Sequence, residues 1–186
     1  GTNADRIYVW SNPGLDFGIK QGGPVVFGSL NWDSPDNAHT LIQASIPSFG
    51  AEAHSTMMVG YGVSRGRGEF RYDSASGDAR LHWPADGDRR IQWGHIHPTA
   101  LKIAGPGSVL TDSNRFLNTT WHPLGGAAMG SVCDLSGRVR GQRGLYVIDG
   151  ALIPGTSAAC NPSMTIAAVA ERALDDIVAN DVGSII

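Results

Sequence analysis

Four short segments of apolar and polar positions read as strand-like: Thr40 to Ile46, Ser55 to Val63, Glu69 to Tyr72 and Arg80 to Trp83. Residues of strand-forming type at a period of two read as half-buried strands. The last two segments flank Asp73-Ser74-Ala75-Ser76-Gly77-Asp78, a hairpin-type turn. Together the four predict an antiparallel sheet of at least four strands. Residues 1–38 are rich in Gly, Pro, Asn and Asp around one apolar patch, Val25-Val26-Phe27, and read as loops with brief strands. A short helix is expected around Pro98 to Ala104, where Gly105-Pro106-Gly107 would stop it.

The pattern changes in the last third. Gly144-Leu145-Tyr146-Val147-Ile148-Asp149-Gly150 looks like a buried strand ending at an acidic residue and a glycine. A helix follows, with Asn161 as its N-cap and Pro162 at the first helical position, where a missing N–H costs nothing. Ile166, Val169, Ala170, Ala173, Leu174 and Ile177 recur at helical spacing and predict the packed face, with Glu171, Arg172, Asp175 and Asp176 turned away. Mixed strands and helices place the chain in the α/β class, as an α+β fragment.

Composition narrows the function. The chain has 186 residues and a formal charge of −3, and its 14 basic residues are scattered, which argues against a nucleic-acid or acidic-membrane partner. No apolar run reaches the length of a membrane span, and Gly1 to Arg6 lacks the basic-then-apolar order of a signal peptide. Cys133 and Cys160 have no CxxC partner and are expected to be free, buried thiols. The 25 glycines and 10 prolines call for many turns and close-packed loops.

Three segments carry candidate chemistry. Trp121-His122-Pro123-Leu124-Gly125-Gly126 sets an imidazole in a rigid loop whose glycines let backbone approach a flat ligand. Histidine is the side chain best suited to take or share a hydroxyl proton near neutral pH, although a loop histidine can also just bond its own loop. The helix start Cys160-Asn161-Pro162-Ser163 offers free N–H groups and a positive dipole end to a negative group, or Asn161 simply caps the helix. Asp149-Gly150 could hydrogen-bond a ribityl or phosphate-linked hydroxyl, or close a strand. No strand is followed by GxGxxG, so the chain lacks a dinucleotide-binding fingerprint of its own; Gly66-Arg67-Gly68 is a poor substitute.

In order and spacing, His122-Pro-Leu-Gly-Gly, Gly137-Arg138-Val139, Leu145 to Gly155, Asn161-Pro162-Ser163-Met164-Thr165-Ile166 and Ala170-Glu171-Arg172 resemble the C-terminal block of the glucose-methanol-choline (GMC) oxidoreductases. The chain is most similar to the bacterial cholesterol oxidases. A weaker likeness runs upstream through the Gly68 to Trp83 hairpin to Trp10-Ser11-Asn12-Pro13. The resemblance implies a two-part flavoprotein fold, with residues 1–120 in the substrate-binding portion and residues 121–186 completing an FAD-binding domain. The segment that grips the dinucleotide would come from an N-terminal companion polypeptide.

The resemblance also implies roles. His122 would hydrogen-bond the alcohol and help remove its proton, and Asn161 would steady the flavin and the reacting carbon. Gly125, Gly126, Asp149, Gly150, Asn161, Pro162 and Ser163 would line the FAD. Hydride would pass from a bulky apolar, steroid-like alcohol to the flavin, and dioxygen would reoxidise it. Three departures stand out. Counting back without gaps from Gly68, Gln43 occupies the position of the glutamate that moves a proton during steroid isomerisation, and an amide cannot accept that proton. Ala127-Ala128-Met129 follows the glycines where a cysteine is common, and the Trp83 to Trp121 stretch is shorter than in cholesterol oxidases. These leave open a flavoenzyme diverted to another substrate, or a binding protein that kept the fold. His95 and His97 at i, i+2 would share a side on a strand and could contact a metal, but no carboxylate or cysteine accompanies them. His39, His54 and His82 read as surface or sheet residues.

Overall fold

A computed structural model describes residues 6–11, 26–28, 34–44, 55–84, 86–112 and 120–186. Its largest unit is a five-stranded antiparallel sheet in the order β2-β3-β4-β1-β7, formed by β1 (Arg6–Ser11), β2 (Val26–Gly28), β3 (His39–Ala44), β4 (Ser55–Gly62) and β7 (Val109–Asp112). The segments expected at 40–46 and 55–63 are its β3 and β4. The third central strand, β1, comes from Arg6-Ile7-Tyr8-Val9-Trp10-Ser11, inside the region expected to be mostly loop. The patch at 25–27 gives the short edge strand β2.

The hairpin of β5 (Glu69–Asp73) and β6 (Asp78–His82) forms as expected, with Gly77 N–H donating to the Asp73 carbonyl at 2.8 Å. It does not join the sheet. Among the described residues it pairs only with itself, and Phe70, Tyr72 and Leu81 remain exposed along it. Alternation identifies a strand but carries no information about which edge it joins.

Opposed residues in an antiparallel ladder share a face. Tyr8 stands opposite Met58, and Leu41 opposite Gly60, so these positions lie together. That face is covered by α1 (Arg89–Ile91), a π-helical segment at Gln92–Ile96 and α2 (His97–Ala104). Ile91, Ile96, Ala100 and Ala104 complete one buried cluster with Tyr8, Leu41 and Met58. Gly62 lets the helices close in, because a Cβ there would overlap the Ile91 side chain. The π-helical turn precedes Pro98, which has no N–H for the Gly94 carbonyl four residues back and so favours a widened turn. The helix therefore starts earlier than Pro98, and Gly105 ends it at φ 76°, with its N–H on the Leu101 carbonyl at 3.1 Å.

His95 and His97 thus stand on helix rather than on a strand, and their rings part company. His97 meets Trp93 and Tyr8 at ring-centroid distances of 4.7 and 5.6 Å, whereas His95 meets His39 at 5.9 Å. Burial first, then the charges of His39 and Arg90, hold the His95 imidazole below the ordinary histidine range. His39 is a sheet residue, one of the two expected alternatives, at the start of β3; it is buried, and its Nδ1 contacts the Asn37 carbonyl at 2.9 Å and its Nε2 the Thr99 hydroxyl at 2.6 Å. His82 is exposed, and His54 lies outside the described residues, as do Asn12 and Pro13.

The segment expected as a buried strand at Gly144–Gly150 is not one. A single bridge, Arg138 to Tyr146, pairs it, and Leu145 and Ile148 are exposed. A strand buried on both faces needs neighbours at both edges. Among the described residues, Arg138 is the only one that bridges to it.

Candidate functional site

Gly150 is where the three chemistry-bearing segments meet. A Cβ on this buried glycine would lie 3.0 Å from the Pro123 carbonyl, 3.4 Å from Leu124 Cδ2 and 3.2 Å from Ile166 Cδ1. The His122 loop therefore packs on one side of it and α3 (Ser163–Asn180) on another. Backbone bonds fix the first contact: Gly125, Ala127 and Met129 N–H donate to the Gly150, Ala151 and Leu152 carbonyls at 3.2, 3.2 and 2.9 Å. Asp149 caps the one-turn helix at Gly150–Leu152, its carboxylate accepting the Ala151 N–H at 2.7 Å. Gly125 and Gly126 have φ of 74° and 99°, a region that excludes most side chains, so the backbone beside His122 stays bare.

At the start of α3, Asn161 Oδ1 accepts the Ser163 N–H at 2.9 Å and the Ser163 hydroxyl. It performs the expected cap although the regular helix begins one residue later, after the buried Pro162. A backbone N–H needs an acceptor, so the Asn161 oxygen is committed to the helix, and its NH2 group is what it can offer to a ligand. Ser163, Met164 and Thr165 are exposed in the first turn, where N–H groups have no intrahelical partner. Asn161→Ala is expected to cost about 1 kcal/mol through the lost cap, read as a lower urea midpoint at unchanged m-value. An unchanged midpoint would remove Asn161 from the cap.

His122 is half-buried; its ring lies 5.6 Å from that of Tyr61, tilted by 49°. Its backbone N–H reaches the Thr120 hydroxyl at 3.4 Å. Tyr61, which pattern reading passed over, is 4% exposed and stands opposite Thr40. Gln43 stands opposite Met58, in the alternate set of strand positions that includes Leu41. The register thus sets Tyr61 and Gln43 in alternate sets of strand positions, and the Tyr61 ring meets that of His122.

α3 departs from its expected face at two positions. Ala173 and Ile177 are buried, whereas Leu174 is 43% exposed and Asp176 is turned to the protein. Asp176 and Asp181 are drawn in by Arg138: its Nη1 bonds Asp176 at 2.6 Å, and its Nε and Nη2 bond Asp181 at 2.6 and 2.9 Å. The Tyr146 hydroxyl donates to Asp181 at 2.8 Å. Nothing in the local pattern pointed to this network, since its hydrogen-bonded partners are more than thirty positions apart in sequence.

The Arg138 bonds hold the Asp181 carboxylate below its ordinary value of 3.8; Asp176 is lowered by a Ser136 hydrogen bond first and Arg138 next. A pKa lower in the folded than in the unfolded state stabilises above the unfolded value and is lost as pH falls through the folded one. Acidification below 3.8 is therefore expected to erode stability. Asp181→Asn should unfold at lower temperature than wild type at neutral pH, with the gap narrowing at pH near 3; a pH-independent gap would contradict this linkage.

A cavity of about 360 Å³ opens beside this network, lined by Arg138, Tyr146, Asp181 and Ile185 among others, and shares no residue with the His122 loop. Cys133 is buried, with its thiol pushed up by burial, whereas Cys160 is exposed rather than buried as expected. Among the described residues no grouping of three or more His, Cys, Asp or Glu could hold a metal, and no helix is long and apolar enough to cross a membrane. A family model described as GMC oxidoreductase, for its C-terminal domain, matches residues 65–170, more than half of the chain.

Proposed function

This chain belongs to the GMC oxidoreductase family, and from that premise we propose that it is the C-terminal part of an FAD-dependent enzyme that oxidises a bulky apolar, steroid-like alcohol. The observation that carries the reading is the meeting at Gly150 of the His122 loop, the Asp149 turn and the start of α3. The residues suit a flavin. Gly125 and Gly126 keep backbone open beside the imidazole, and the first turn of α3 presents exposed positions at its positive end. Asp149, Asn161 and Ser163 would offer polar groups to the cofactor, and the buried Gly150 and Pro162 seat the loops that carry them. When bound, FAD supplies the hydride acceptor, and dioxygen restores its oxidised form with release of hydrogen peroxide.

The chain's own residues handle the proton and the geometry. His122 accepts the substrate hydroxyl proton as the carbinol C–H bond breaks, and the Asn161 NH2 donates a hydrogen bond toward the reacting group. Gln43, at the position of the glutamate in the enzymes this chain resembles, cannot act as a base, so the product ketone keeps its double bond unmoved. The dinucleotide-gripping segment would be supplied from beyond these residues, as a companion segment of the same enzyme. Cover by another segment is supported by the exposed apolar side chains of α3, Met164 at 81% and Val178 at 63% exposure together with Leu174.

The test is to purify the chain together with that companion, record flavin absorbance, and assay peroxide release with cholesterol. A yellow protein that releases peroxide and forms the unconjugated ketone supports the whole reading. Yellow protein active only on non-steroid alcohols defeats the substrate assignment alone. A colourless assembled protein defeats the flavin assignment.

A further inference from the structure

We propose that the contact of His39 on β3 with His95 on the π-helical segment is an acid-sensitive latch, which lets the helical layer of residues 89–104 lift from the sheet as pH falls. The two rings come from opposite sides of the packing interface and lie 5.9 Å apart, tilted by 44°. His39 is only 7% exposed, and its neutral ring has a partner at each nitrogen. The Asn37 carbonyl can only accept, so Nδ1 carries the ring proton, and Nε2 then accepts the Thr99 hydroxyl at 2.6 Å. A second proton, on Nε2, would reverse the Thr99 bond and leave the hydroxyl to accept. It would also place a cation inside the interface, next to a second imidazole. A permanent positive charge is already there: Arg90 on α1, bonded to the Asn37 side chain at 2.6 Å and to the Asp36 carbonyl. The nearby carboxylates are engaged elsewhere, Asp36 with Arg65 and Asp88 with the Ser64 hydroxyl. Basic residues also stand at Arg6 on β1, opposite Gly60, at Arg89 on α1 and at Lys102 on α2. The remaining titratable neighbours point to other partners. The His97 ring meets Tyr8, Asp112 stands opposite Tyr8, and Tyr61 of β4 has its ring against His122.

Burial first, then His39 and Arg90, keep His95 neutral at a pH where an exposed histidine is already charged. An opened layer therefore binds more protons than a closed one below the ordinary histidine value of 6.5. Closure is at full strength above that value and weakens as pH falls below it. The apolar cluster of Ile91, Ile96, Ala100 and Ala104 with the sheet is indifferent to pH, so the histidine pair is what makes its hold depend on acidity.

The experiment is amide hydrogen exchange of the complete enzyme at about pH 7.5 and about pH 5.5, corrected for intrinsic exchange rates, in wild type and His95→Gln. In wild type the amides of residues 89–104 should lose protection about tenfold on acidification, the order expected of one like-charge contact at this distance in partly screened surroundings. Those of β1 and β4 should change much less. Glutamine is neutral at both pH values, so His95→Gln should hold the protection of residues 89–104 within about twofold. Protection there that acid leaves unchanged in wild type overturns the proposal, as does a loss spread evenly over the chain. A loss in His95→Gln equal to that of wild type overturns it too. Should His95→Gln not fold, the wild-type histidine resonances decide. A His95 signal that titrates below the ordinary histidine value, together with movement of residues 89–104, supports the latch; titration at the ordinary value with those residues unmoved overturns it.

Discussion

His122→Gln is expected to lower the rate of alcohol oxidation by roughly 10²–10⁴-fold, the usual worth of a placed general base, with flavin binding retained. The side chain sits at the edge of the convergence on Gly150, half-buried, with its ring against Tyr61. Glutamine keeps much of the size and a hydrogen-bonding amide, yet it cannot accept the proton that must leave the hydroxyl as hydride departs. The loss should therefore fall on kcat, with KM nearly unchanged, since the missing interaction is strongest in the transition state. A variant that retains most of its kcat would show that another group takes the proton. Asn161, whose oxygen is bound by the helix start, cannot be that group, because an amide NH2 only donates.

Gly137→Ala should be the most damaging single change to stability outside the core. Gly137 has φ of 81°, where an alanine costs roughly 1–2 kcal/mol, and a Cβ there would overlap the Val147 carbonyl. That carbonyl belongs to backbone, which cannot rotate away as a side chain would. Relief would require opening the bond from Val147 N–H to the Gly137 carbonyl, 2.8 Å long, that holds the two arms of the segment together. Overpacking of this kind adds about 1–3 kcal/mol, so a total of roughly 2–5 kcal/mol is expected. Against a domain stability of about 5–15 kcal/mol, this is a large fraction. The neighbouring Arg138 would be displaced from Asp176 and Asp181 at the same time. Urea unfolding of the variant against wild type measures the effect; a change under about 1 kcal/mol would mean that the segment adjusts without cost.

How much could be read in advance depended on the range of the forces involved. The cap at Asn161 and the turn at Asp73–Asp78 were legible because each is made by residues two to five positions apart. The same holds for β3 and β4, whose strand-forming residues are contiguous in sequence. β1 escaped notice because its Ile7-Tyr8-Val9-Trp10 run is short and lies among loop-forming residues; its strand character comes from pairing with both β4 and β7. The strand expected at 144–150 failed for the opposite reason, since its composition suits a buried strand but the described residues supply no sheet around it. The partner of His39 was not legible, because Thr99 is 60 positions away.

From the sequence alone came the identity of the chemical groups: the imidazole at 122, the capping amide at 161, the glycines at 125, 126 and 150, and the amide rather than carboxylate at 43. Covalent structure determines what each can donate, accept or leave bare. The tertiary structure decided which of them meet: Gly150 joins the His122 loop to α3, Arg138 gathers two aspartates from the far end of the chain, and β4 brings Tyr61 to His122. The reason is strand register. A period of two sends neighbouring residues to opposite faces, so the pairing of β3 with β4 sets Gln43 in the alternate set from Tyr61, a choice no local pattern contains.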